Sequence, residues 1–586
     1  MSIPEEMSIQ ALRSAYAAGL QPADLVSELL RRIQTYDDPA LFIYLLSEAE
    51  LLAQALALSS QDASSLPLYG IPFVVKDNID LAGVPTTAGC PAFAQTPSES
   101  APVVQALLDA GAICLGKTNL DQFATGLVGT RSPYGTPRNP HHPEYIPGGS
   151  SSGSAAAVAA GLASFGLGTD TAGSGRVPAA FCGLVGWKPS RGLLSTRGVV
   201  PAVASLDCVS VFARTAADSA AVRSVVAGFD PADPFARAAP EGGSARPQRI
   251  GVPRPGQLDF MGDAAAQAAY AAGCEALAAC GCELVPIDFA PFSETAEMLY
   301  GGPWVAERYA AVGRFVEHRQ ADCDPSVGGI IVAAKTITAV QAFEADYRLR
   351  ALRRAVEPVW GEVDAIAVPT TPTIYTRAEI AADPVGLNSI LGRTNNFANL
   401  LDLCAAVLPT APGRDGLPTG LTVLAPAFAD VGVLSVVQAA HRHTGAGVAT
   451  PAERAQALSD DPIELLVLGA HLRGEPLNHL LTQRGAQFRR EVSTAACYRL
   501  VAIPGAMPKP GMYRVDGSGA SIAGEVWALS PAALGAIVAE TPAPLGFGSV
   551  ELADGNRVTG FVCEADQGRD YEDISAYGGW RAWLAR

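Results

Sequence analysis

The chain has 586 residues, more than one hydrophobic core usually organises, so we expect two domains. Its composition is 49% hydrophobic and 17% charged, with 59 glycines and 44 prolines, which is typical of a large, ordered enzyme and excludes a disordered chain. A net charge of −17 without any Lys/Arg block argues against nucleic acid or an anionic membrane as a partner.

The elements predicted from apolar spacing alternate between helices and strands up to about residue 445. In chain order they are helices at 8–35 and 47–60, a strand ending at Lys76, a helix at 101–112, a strand at 113–120, a strand at 249–255, a helix at 263–281, and strands at 282–289, 363–373 and 416–426. This alternation predicts an α/β domain whose central mixed β-sheet is covered by helices.

A change of pattern near residue 445 predicts a domain boundary. Residues 443–462 combine Gly, Pro and charge without apolar periodicity, which favours a linker at 446–461 between domains at 1–445 and 462–586. The second domain carries short strand-like segments, which predict a small α+β fold. These segments are 463–472, 497–504, 511–515, 524–530, 548–555 and 557–564.

Cysteine usage and the N-terminal sequence favour a cytoplasmic protein. Eleven scattered cysteines are typical of reduced thiols, and Cys280 and Cys282 have no histidine nearby, so we expect no metal site. The N-terminus lacks the basic and apolar parts of a signal peptide. The most apolar stretch, 155–168, is shorter than the ~20 residues of a membrane span. We therefore expect neither a signal peptide nor a membrane span.

Two serine-rich segments carry the candidate chemistry. The run GGSSSGS at 148–154 has linker composition, but the Ala and Val residues that follow predict a packed helix capped by Ser152 or Gly153. The second segment, GTDTAGSGRVP at 168–178, places Ser174 between glycines, where backbone N–H groups can converge on one point. Such convergence is how an oxyanion hole is built.

A nucleophilic serine needs a base, and the sequence offers two kinds. His141 and His142 lie in a turn-like segment, where exposed turn residues are the favoured interpretation. Lys76 follows a run of apolar residues, and burial would favour its neutral form, although a lysine at a strand end usually reaches water. Neither base is established by these residues alone.

Three motifs in this order and spacing resemble the amidase signature family: VVKDN around Lys76, GGSSSGSA, and GTDTAGSGRVP. The resemblance covers roughly residues 1–445 and implies the amidase signature fold. It also implies a Ser-cisSer-Lys triad, with Ser174 as nucleophile, Ser150 as a bridge that follows a cis peptide bond, and Lys76 as the ultimate base and acid. Asp170 and Arg176 would support the loop, and no cofactor or metal is expected.

The same resemblance implies an oxyanion hole formed by backbone N–H groups of four consecutive residues. They are Thr171, Ala172, Gly173 and Ser174. Donors directed at the developing charge are worth several kcal/mol in the transition state, roughly 3–4 for a single donor.

Residues 297–315 bear on the substrate. Pro303 suits a helix start, which would place Arg308 in the second turn and Tyr300 in the loop before it. Arg308 offers a fork for a carboxylate and Tyr300 a neutral donor, although these residues alone favour a surface arginine beside a packed tyrosine. LYGGPWVAERY resembles the carboxylate clamp of the allophanate hydrolase group. Residues 119–135 are similar to that group too, which implies that Gly126 lies against the substrate.

Segments of the second domain, among them VLGAHLRGEPLNHLLTQRGAQF and DISAYGGWRAWL, resemble the C-terminal domain of that group, whose fold is similar to γ-glutamyl cyclotransferases. The implied reaction is hydrolysis of allophanate (urea-1-carboxylate) to ammonia and carbon dioxide through N-carboxycarbamate. Two hypotheses stay open for this domain. It decarboxylates the intermediate, with His471 as a proton donor near neutral pH and Glu525 as a second group, or it is structural.

Two alternatives remain for the whole chain, a generic carboxamide hydrolase and a component of an amidotransferase. The sequence has no biotin-attachment or ATP-grasp region, so a separate urea carboxylase, or a biuret or cyanuric acid pathway, would supply the small-molecule substrate. We expect a homodimer, the commonest closed assembly.

Overall fold

A computed structural model of the chain divides into two compact units, Met1–Thr450 and Pro451–Arg586. The structure describes residues 3–4, 7–240, 244–444, 463–482, 484, 486–505, 508–529, 531–563 and 571–585. The linker predicted at 446–461 lies outside these residues, so it stays a prediction.

The first unit is built on one mixed sheet, to which its described residues contribute eleven strands. They are β1 Phe42–Leu45, β2 Pro72–Lys76, β3 Ile113–Thr118, β4 Phe165–Thr169, β5 Val185–Lys188, β6 Val209–Ala213, β7 Arg249–Pro253, β8 Glu283–Ile287, β9 Ala365–Pro369, β10 Leu403–Thr410 and β11 Thr419–Pro426. Their order is β1-β3-β2-β4-β6-β5-β10-β11-β9-β7-β8. β2 is parallel to β3 and β4, β7 is parallel to β8 and β9, and the other neighbours are antiparallel.

Helices cover this sheet, which confirms the predicted α/β class. In the described part of the first unit they are α1 Ile9–Ala17, α2 Pro22–Tyr36, α3 Glu48–Ser59, α4 Pro102–Asp109, α5 Ser152–Ala159, α6 Val177–Phe181, α7 Ala216–Val226, α8 Ala264–Ala279, α9 Ala290–Gly301, α10 Val305–Arg308, α11 Arg314–His318, α12 Pro325–Ala333, α13 Ala339–Val356, α14 Val359–Glu362, α15 Arg377–Ala382, α16 Gly386–Leu391, α17 Phe397–Leu400 and α18 Asp430–His441. Every residue of β2 to β6, β9 and β10 is buried beneath them.

Two helices, α1 and α2, replace the single helix predicted at 8–35. Gly19 adopts φ +101°, a conformation that favours glycine, and Pro22 begins α2 because a first-turn proline needs no N–H donor. Both helices retain the apolar spacing, since Ile9 and Leu12 of α1 and Leu25 of α2 are buried. Local backbone chemistry therefore divides a continuous apolar pattern.

Helix α5 follows the serine run and is buried at every position. The prediction that Ser152 or Gly153 caps this helix was wrong. The residue before the helix is Ser151, and its side chain makes no capping hydrogen bond to the helix. The Ser151 hydroxyl lies 3.3 Å from both the amide and the carbonyl of Thr169 instead. A Cβ on Gly153 would lie 2.6 Å from Asn119 N and Leu41 O, so the small residues allow close backbone packing, as predicted.

The second unit has two sheets among its described residues. Their strands are β12 Ile463–Val467, β13 Gln487–Ser493, β14 Tyr498–Ile503, β15 Lys509–Arg514, β16 Ala523–Leu529, β17 Leu545–Glu551, β18 Arg557–Cys563 and β19 Glu572–Asp573. The orders are β13-β16-β12-β18-β17 and β15-β14-β19. Helices α19 Asn478–Thr482, α20 Pro531–Glu540 and α21 Trp580–Leu584 complete an α+β arrangement.

The described residues contain no single helix that is long and apolar enough to cross a membrane. One pair of helical segments, Pro325–Thr336 and Ala339–Glu362, satisfies length and composition only when the two are taken together, and they are bent by 99°.

Candidate active site

Lys76 is the last residue of β2 and is completely buried. Its Nζ lies 2.7 Å from Ser150 Oγ and 2.8 Å from Thr169 Oγ1. The central position of β2, between β3 and β4, keeps the side chain away from water. The alternative in which Lys76 reaches solvent is therefore wrong.

Ser150 follows a cis peptide bond between Gly149 and Ser150 and is also completely buried. Its carbonyl accepts from Asp121 N at 3.0 Å, and Gly149 N donates to Leu127 O at 2.9 Å. A Cβ on Gly149 would lie 2.1 Å from Asp121 Oδ2 and 2.5 Å from Gly129 N. This position consequently accepts only glycine.

Ser174 lies in the loop between β4 and α6 and is 3% exposed. Its Oγ donates to Gly126 O at 3.4 Å. Gly173, with φ +123°, turns the backbone just before the serine, where a side chain would be strained. Segment 126–127 therefore accepts hydrogen bonds from Ser174 Oγ and from the amide of Gly149, and brings the two serine segments to one place.

The buried pair of Asp170 and Arg176 holds this loop. Arg176 donates to both carboxylate oxygens at 2.9 and 3.0 Å, and Nη1 also donates to Asn395 Oδ1 at 2.9 Å. The Arg176 guanidinium keeps the pKa of Asp170 below its ordinary value, although burial alone would raise it. The contacts place both residues in the supporting role expected from the sequence.

Of the four backbone N–H groups that the sequence implies for the oxyanion hole, one is already engaged in another hydrogen bond. The N–H of Gly173 donates to Asp170 Oδ1 at 2.9 Å, because the carboxylate bridges the loop from Gly173 to Gly175. The backbone N–H groups of Thr171, Ala172 and Ser174 are the candidates that remain.

Arg308 lies at the end of α10 and is 3% exposed. The interpretation of Arg308 as a surface arginine, which residues 297–315 favour when taken alone, is therefore wrong. Its Nη1 lies 2.7 Å from Thr125 Oγ1 and 3.3 Å from Ala124 O, next to Gly126. Its guanidinium lies 5.8 Å from the centre of the Tyr300 ring. The structure brings Gly126, Tyr300 and Arg308 together.

The predicted boundaries around this clamp were wrong. Tyr300 lies in the last turn of α9 rather than in a loop, and α10 begins at Val305 instead of Pro303. The adjacent Gly301–Gly302 pair permits the break between the helices. A π-turn at Tyr309–Gly313 follows Arg308, so the arginine ends a single turn of helix instead of lying in a second turn.

The electrostatics of the site favour a neutral amine. Burial lowers the pKa of Lys76 from 10.5 to about 7, while the buried carboxyls of Asp121, Asp207 and Asp170 act in the opposite direction. The free base of Lys76 is therefore accessible near neutral pH, which suits a general base. Burial also raises the pKa of Asp121 and of Asp207.

Four polar residues of the site were missed from the sequence: Thr125, Thr169, Asp121 and Asp207. Asp121 accepts from the amides of Gly129 and Arg131 at 3.0 and 2.9 Å and so shapes the segment that Ser174 Oγ and the amide of Gly149 contact. Asp207 accepts from Ala202 N at 2.9 Å and from the Thr171 hydroxyl. Only the side-chain contacts reveal them, although TDT at 169–171 was a usable signal for Thr169.

Other candidates lie apart from these residues. His141 Nε2 contacts Cys182 O at 3.0 Å, and the His142 ring packs on Tyr145, so both residues are half-buried and not exposed as predicted. Cys280 and Cys282 have free thiols 3.9 Å apart. The part of the chain that the structure describes contains no group of three or more His, Cys, Asp or Glu side chains that could hold a metal ion.

In the second unit, His471 stacks on Phe561 and lines a pocket with Lys509 and Glu540. Burial lowers the pKa of His471 to about 4, with Lys509, His479 and Arg484 adding to the effect. The ring is therefore neutral at pH 7, contrary to the near-neutral titration expected from the sequence.

Glu525 lies outside the residues that line this pocket. It accepts from Arg473 N at 3.0 Å, from Trp527 Nε1 at 3.2 Å and from Arg581 Nη1 at 3.3 Å. This buried carboxylate ties its own strand, β16, to Arg473 and to α21, which favours a structural role over the catalytic one considered from the sequence.

Comparisons with known families agree with the division of the chain. The amidase family model matches residues 24–434, and the model of the allophanate hydrolase C-terminal domain matches residues 463–585. A glutamyl-tRNA(Gln) amidotransferase polypeptide of Acidobacterium capsulatum is 35% identical over 65% of this chain and 87% of its own length.

Two further relatives match nearly the whole chain. Urea amidolyase of Saccharomyces cerevisiae is 40% identical over 93% of this chain. The chain spans only 31% of the length of that protein. A structure of selenomethionine-substituted Kluyveromyces lactis allophanate hydrolase matches 99% of both chains, with 36% identity and a TM-score of 0.72. The fold predicted for the first domain is thereby confirmed.

Proposed function

The chain belongs to the amidase family, and from this premise we propose that it hydrolyses allophanate with a Ser174-Ser150-Lys76 triad. The observation that carries the proposal is the segment 125–127, where Arg308, Ser174 and Gly149 all make hydrogen bonds. A buried cation next to a buried nucleophile suits an amide that carries a carboxylate. The similarity to Kluyveromyces lactis allophanate hydrolase over the whole chain supports the same substrate.

In the proposed reaction, Ser174 Oγ attacks the terminal carboxamide carbon of allophanate. Its proton passes to Ser150 Oγ while Ser150 gives its own proton to neutral Lys76 Nζ, 2.7 Å away. Backbone N–H groups of Thr171, Ala172 and Ser174 stabilise the oxyanion. The proton returns along the same path to the leaving nitrogen, so ammonia departs and an acyl-enzyme remains.

Water then attacks the acyl-enzyme with Lys76 again acting as base through Ser150. The C–O bond to Ser174 breaks, and N-carboxycarbamate leaves. Loss of carbon dioxide from this intermediate gives carbamate, which releases a second ammonia and a second carbon dioxide. Two serines and one lysine thus complete the hydrolytic step without a cofactor.

Arg308 and Tyr300 form the proposed carboxylate site, with Gly126 against the substrate. The guanidinium can form two charge-assisted hydrogen bonds to a carboxylate, and Tyr300 adds a neutral donor. Since Arg308 Nη1 already contacts Thr125 Oγ1, Nη2 and Nε are the atoms that remain for the substrate. A generic carboxamide hydrolase would not need this buried charge.

The second unit offers a site for the later decarboxylation. Lys509 beside His471 supplies positive charge for a dianionic intermediate, and a neutral imidazole N–H can donate a proton or a hydrogen bond. The competing hypothesis, a purely structural unit, predicts the same carbon dioxide yield without the pocket residues. Comparing carbon dioxide with ammonia release in His471→Ala distinguishes the two.

The cellular setting follows from the substrate. The urea amidolyase relatives support a link to urea carboxylation, which a separate urea carboxylase would supply, and a biuret or cyanuric acid pathway is the other source. We place the reaction in the cytoplasm and assign the chain to a homodimer. A component of an amidotransferase is the remaining alternative, because the glutamyl-tRNA(Gln) amidotransferase relatives are similar to this chain over most of their own length.

The test is ammonia release from allophanate and from an uncharged amide of similar size, with wild type and Arg308→Ala. We expect allophanate turnover by wild type, and in Arg308→Ala a KM for allophanate raised at least tenfold with little change on the uncharged amide. Equal losses on both substrates would remove the carboxylate clamp. No ammonia from allophanate with wild type would refute the proposed function.

A further inference from the structure

Arg308 is buried, and no carboxylate of the described residues lies within ion-pair distance of it. Its Nη1 donates to three neutral oxygens instead, which are Thr125 Oγ1 at 2.7 Å, Ala124 O at 3.3 Å and Phe123 O at 3.5 Å. These acceptors fix the guanidinium in place without pairing its charge. The charge therefore stays available for a substrate carboxylate.

Two other buried cations are held differently. Arg176 lies 2.9 Å from Asp170 Oδ2, and Lys117 lies 3.0 Å from Asp77 Oδ1, with both side chains of each pair completely buried. In each pair a carboxylate of the chain itself neutralises the cation. A buried charge without such a partner is costly until a ligand pairs with it, so Arg308 marks a place where an anion binds.

The hydroxyl of Thr125 is oriented to accept from Arg308. It donates to Phe123 O at 3.1 Å, so its hydrogen points to that carbonyl and a lone pair is left for the guanidinium. The carbonyl of Thr125 is fixed separately, because it accepts from Arg131 Nη1 at 2.9 Å. Both the side chain and the backbone of this residue are thus held by hydrogen bonds.

The backbone before Thr125 has a conformation that residues with a side chain rarely adopt. Phe123 and Ala124 have φ values of +50° and +52°, in the left-handed region where a Cβ is strained. The amide of Phe123 donates to Ala88 O at 2.8 Å and that of Ala124 to Asp121 O at 2.9 Å, which holds the turn. This turn directs two successive carbonyls at one guanidinium nitrogen, and such strain is typical of functional sites.

The same stretch of backbone reaches the nucleophile one residue later. Ser174 Oγ donates to Gly126 O at 3.4 Å. A Cβ on Gly126 would lie 2.6 Å from Asp121 Oδ2, so the backbone packs closely here too. Residues 125 and 126 together therefore set the separation between the guanidinium and the nucleophile. In a bound substrate, this is the separation between the carboxylate and the scissile amide.

We propose that Thr125 is a positioning residue that determines which amides the protein cleaves, an inference that rests on the proposed function. By fixing Arg308 at one distance from Ser174, it favours amides whose carboxylate is separated from the amide carbon by a single atom, as in allophanate. Amides with a longer spacer or without a charge fit less well. Thr125 contacts no reacting atom, so it acts through the KM of anionic substrates.

Two variants at this position separate the hydroxyl from the shape of the side chain. Thr125→Val should raise the KM for allophanate at least ~10-fold with kcat changed less than ~3-fold, because a hydrogen bond to a charged group is lost. Thr125→Ser keeps the acceptor and should restore most of the wild-type KM. In Thr125→Val the preference for allophanate over succinamate, whose spacer is one atom longer, should fall. Ammonia release from propionamide, an uncharged amide, should change little.

Thr410→Val is the matched control. Thr410 is also buried, and its hydroxyl lies 2.7 Å from Thr419 Oγ1 at the end of β10. The KM of this variant for allophanate should equal that of wild type. Urea unfolding of all three variants checks that each is folded.

Binding of malonate gives a readout that does not depend on turnover. Malonate has two carboxylates separated by one carbon, the same spacing as the amide carbon and carboxylate of allophanate. Isothermal titration calorimetry with the full chain should show a Kd at least ~10-fold higher in Thr125→Val than in wild type. Thr125→Ser and Thr410→Val should bind malonate as wild type does.

The outcomes separate this inference from the proposed function. Equal malonate affinity in wild type and Thr125→Val, or no malonate binding by wild type, overturns the role of Thr125. A loss that falls on kcat alone, or equally on allophanate and propionamide, also overturns it, because a general packing defect gives that result. No ammonia from allophanate with wild type refutes the proposed function, and the malonate comparison then decides the role of Thr125 by itself.

Discussion

Replacing Lys76 with methionine should inactivate the protein and also stabilise its fold. A pKa lowered from 10.5 to about 7 means that the folded chain gives up a proton that the unfolded chain keeps. At 1.36 kcal/mol per unit, this costs of order 4 kcal/mol at pH 7. Methionine avoids that cost but loses the hydrogen bonds to Ser150 and Thr169, worth ~1 kcal/mol each. The net gain in the free energy of unfolding is about 1–3 kcal/mol.

Urea unfolding of the wild type and Lys76→Met at several pH values measures this difference. Between pH 7 and 10.5 the unfolded wild type binds a proton at Lys76 and the folded wild type does not, so its stability rises with pH across this window. The advantage of the variant should therefore shrink from pH 7 to pH 10. A variant less stable than wild type at pH 7, or an advantage that grows with pH, would falsify the neutral-amine argument.

Three further variants test the site and its packing. Ser174→Ala should abolish ammonia release with unchanged stability, and measurable single-turnover acylation would remove Ser174 as the nucleophile. Asp207→Asn should lower kcat about tenfold or more with a small change in KM, because it weakens the acceptor of the Thr171 hydroxyl, and a change in KM alone would exclude this positioning role. Gly153→Ala should cost about 1–3 kcal/mol in urea unfolding because its Cβ meets backbone at 2.6 Å, while the open helical Gly329→Ala should be neutral or stabilising. Equal effects at the two glycines would contradict the packing argument.

The sequence predicted the elements whose pattern is local. Strands such as β9 and β11 and helices such as α3 and α8 satisfy their apolar periodicity and turn residues within a few positions. Strand β13, Gln487–Ser493, was missed, because its half-buried face has only two apolar residues, Phe488 and Val492, with the charged Arg490 between them. Sheet order was also beyond prediction, since β10 lies between β5 and β11 through pairings that join distant parts of the chain.

The candidate site was predicted in its motifs and not in its contacts. Lys76 and Thr169 are 93 residues apart, and Arg308 and Thr125 are 183 apart, so no local pattern pairs them. Arg308 shows the consequence, because its residues alone favoured an exposed position and the fold buries it. The N–H of Gly173 shows the same limit, since only the position of the Asp170 carboxylate decides which backbone donors stay free.

The glycine and serine run at 148–154 has the composition of a flexible linker, and the structure shows why that composition does not make it flexible. Small side chains predict flexibility when nothing packs on them, but here every residue of the run is buried. A Cβ on Gly149 or Gly153 would meet Asp121 Oδ2 or backbone atoms at 2.1–2.6 Å, so glycine is what admits the neighbouring chain. Tight backbone packing on both sides of Ser150 fixes its hydroxyl beside Lys76 with no large side chain to hold it. The same residues that would make a linker thus give the rigid support that proton transfer over 2.7 Å requires.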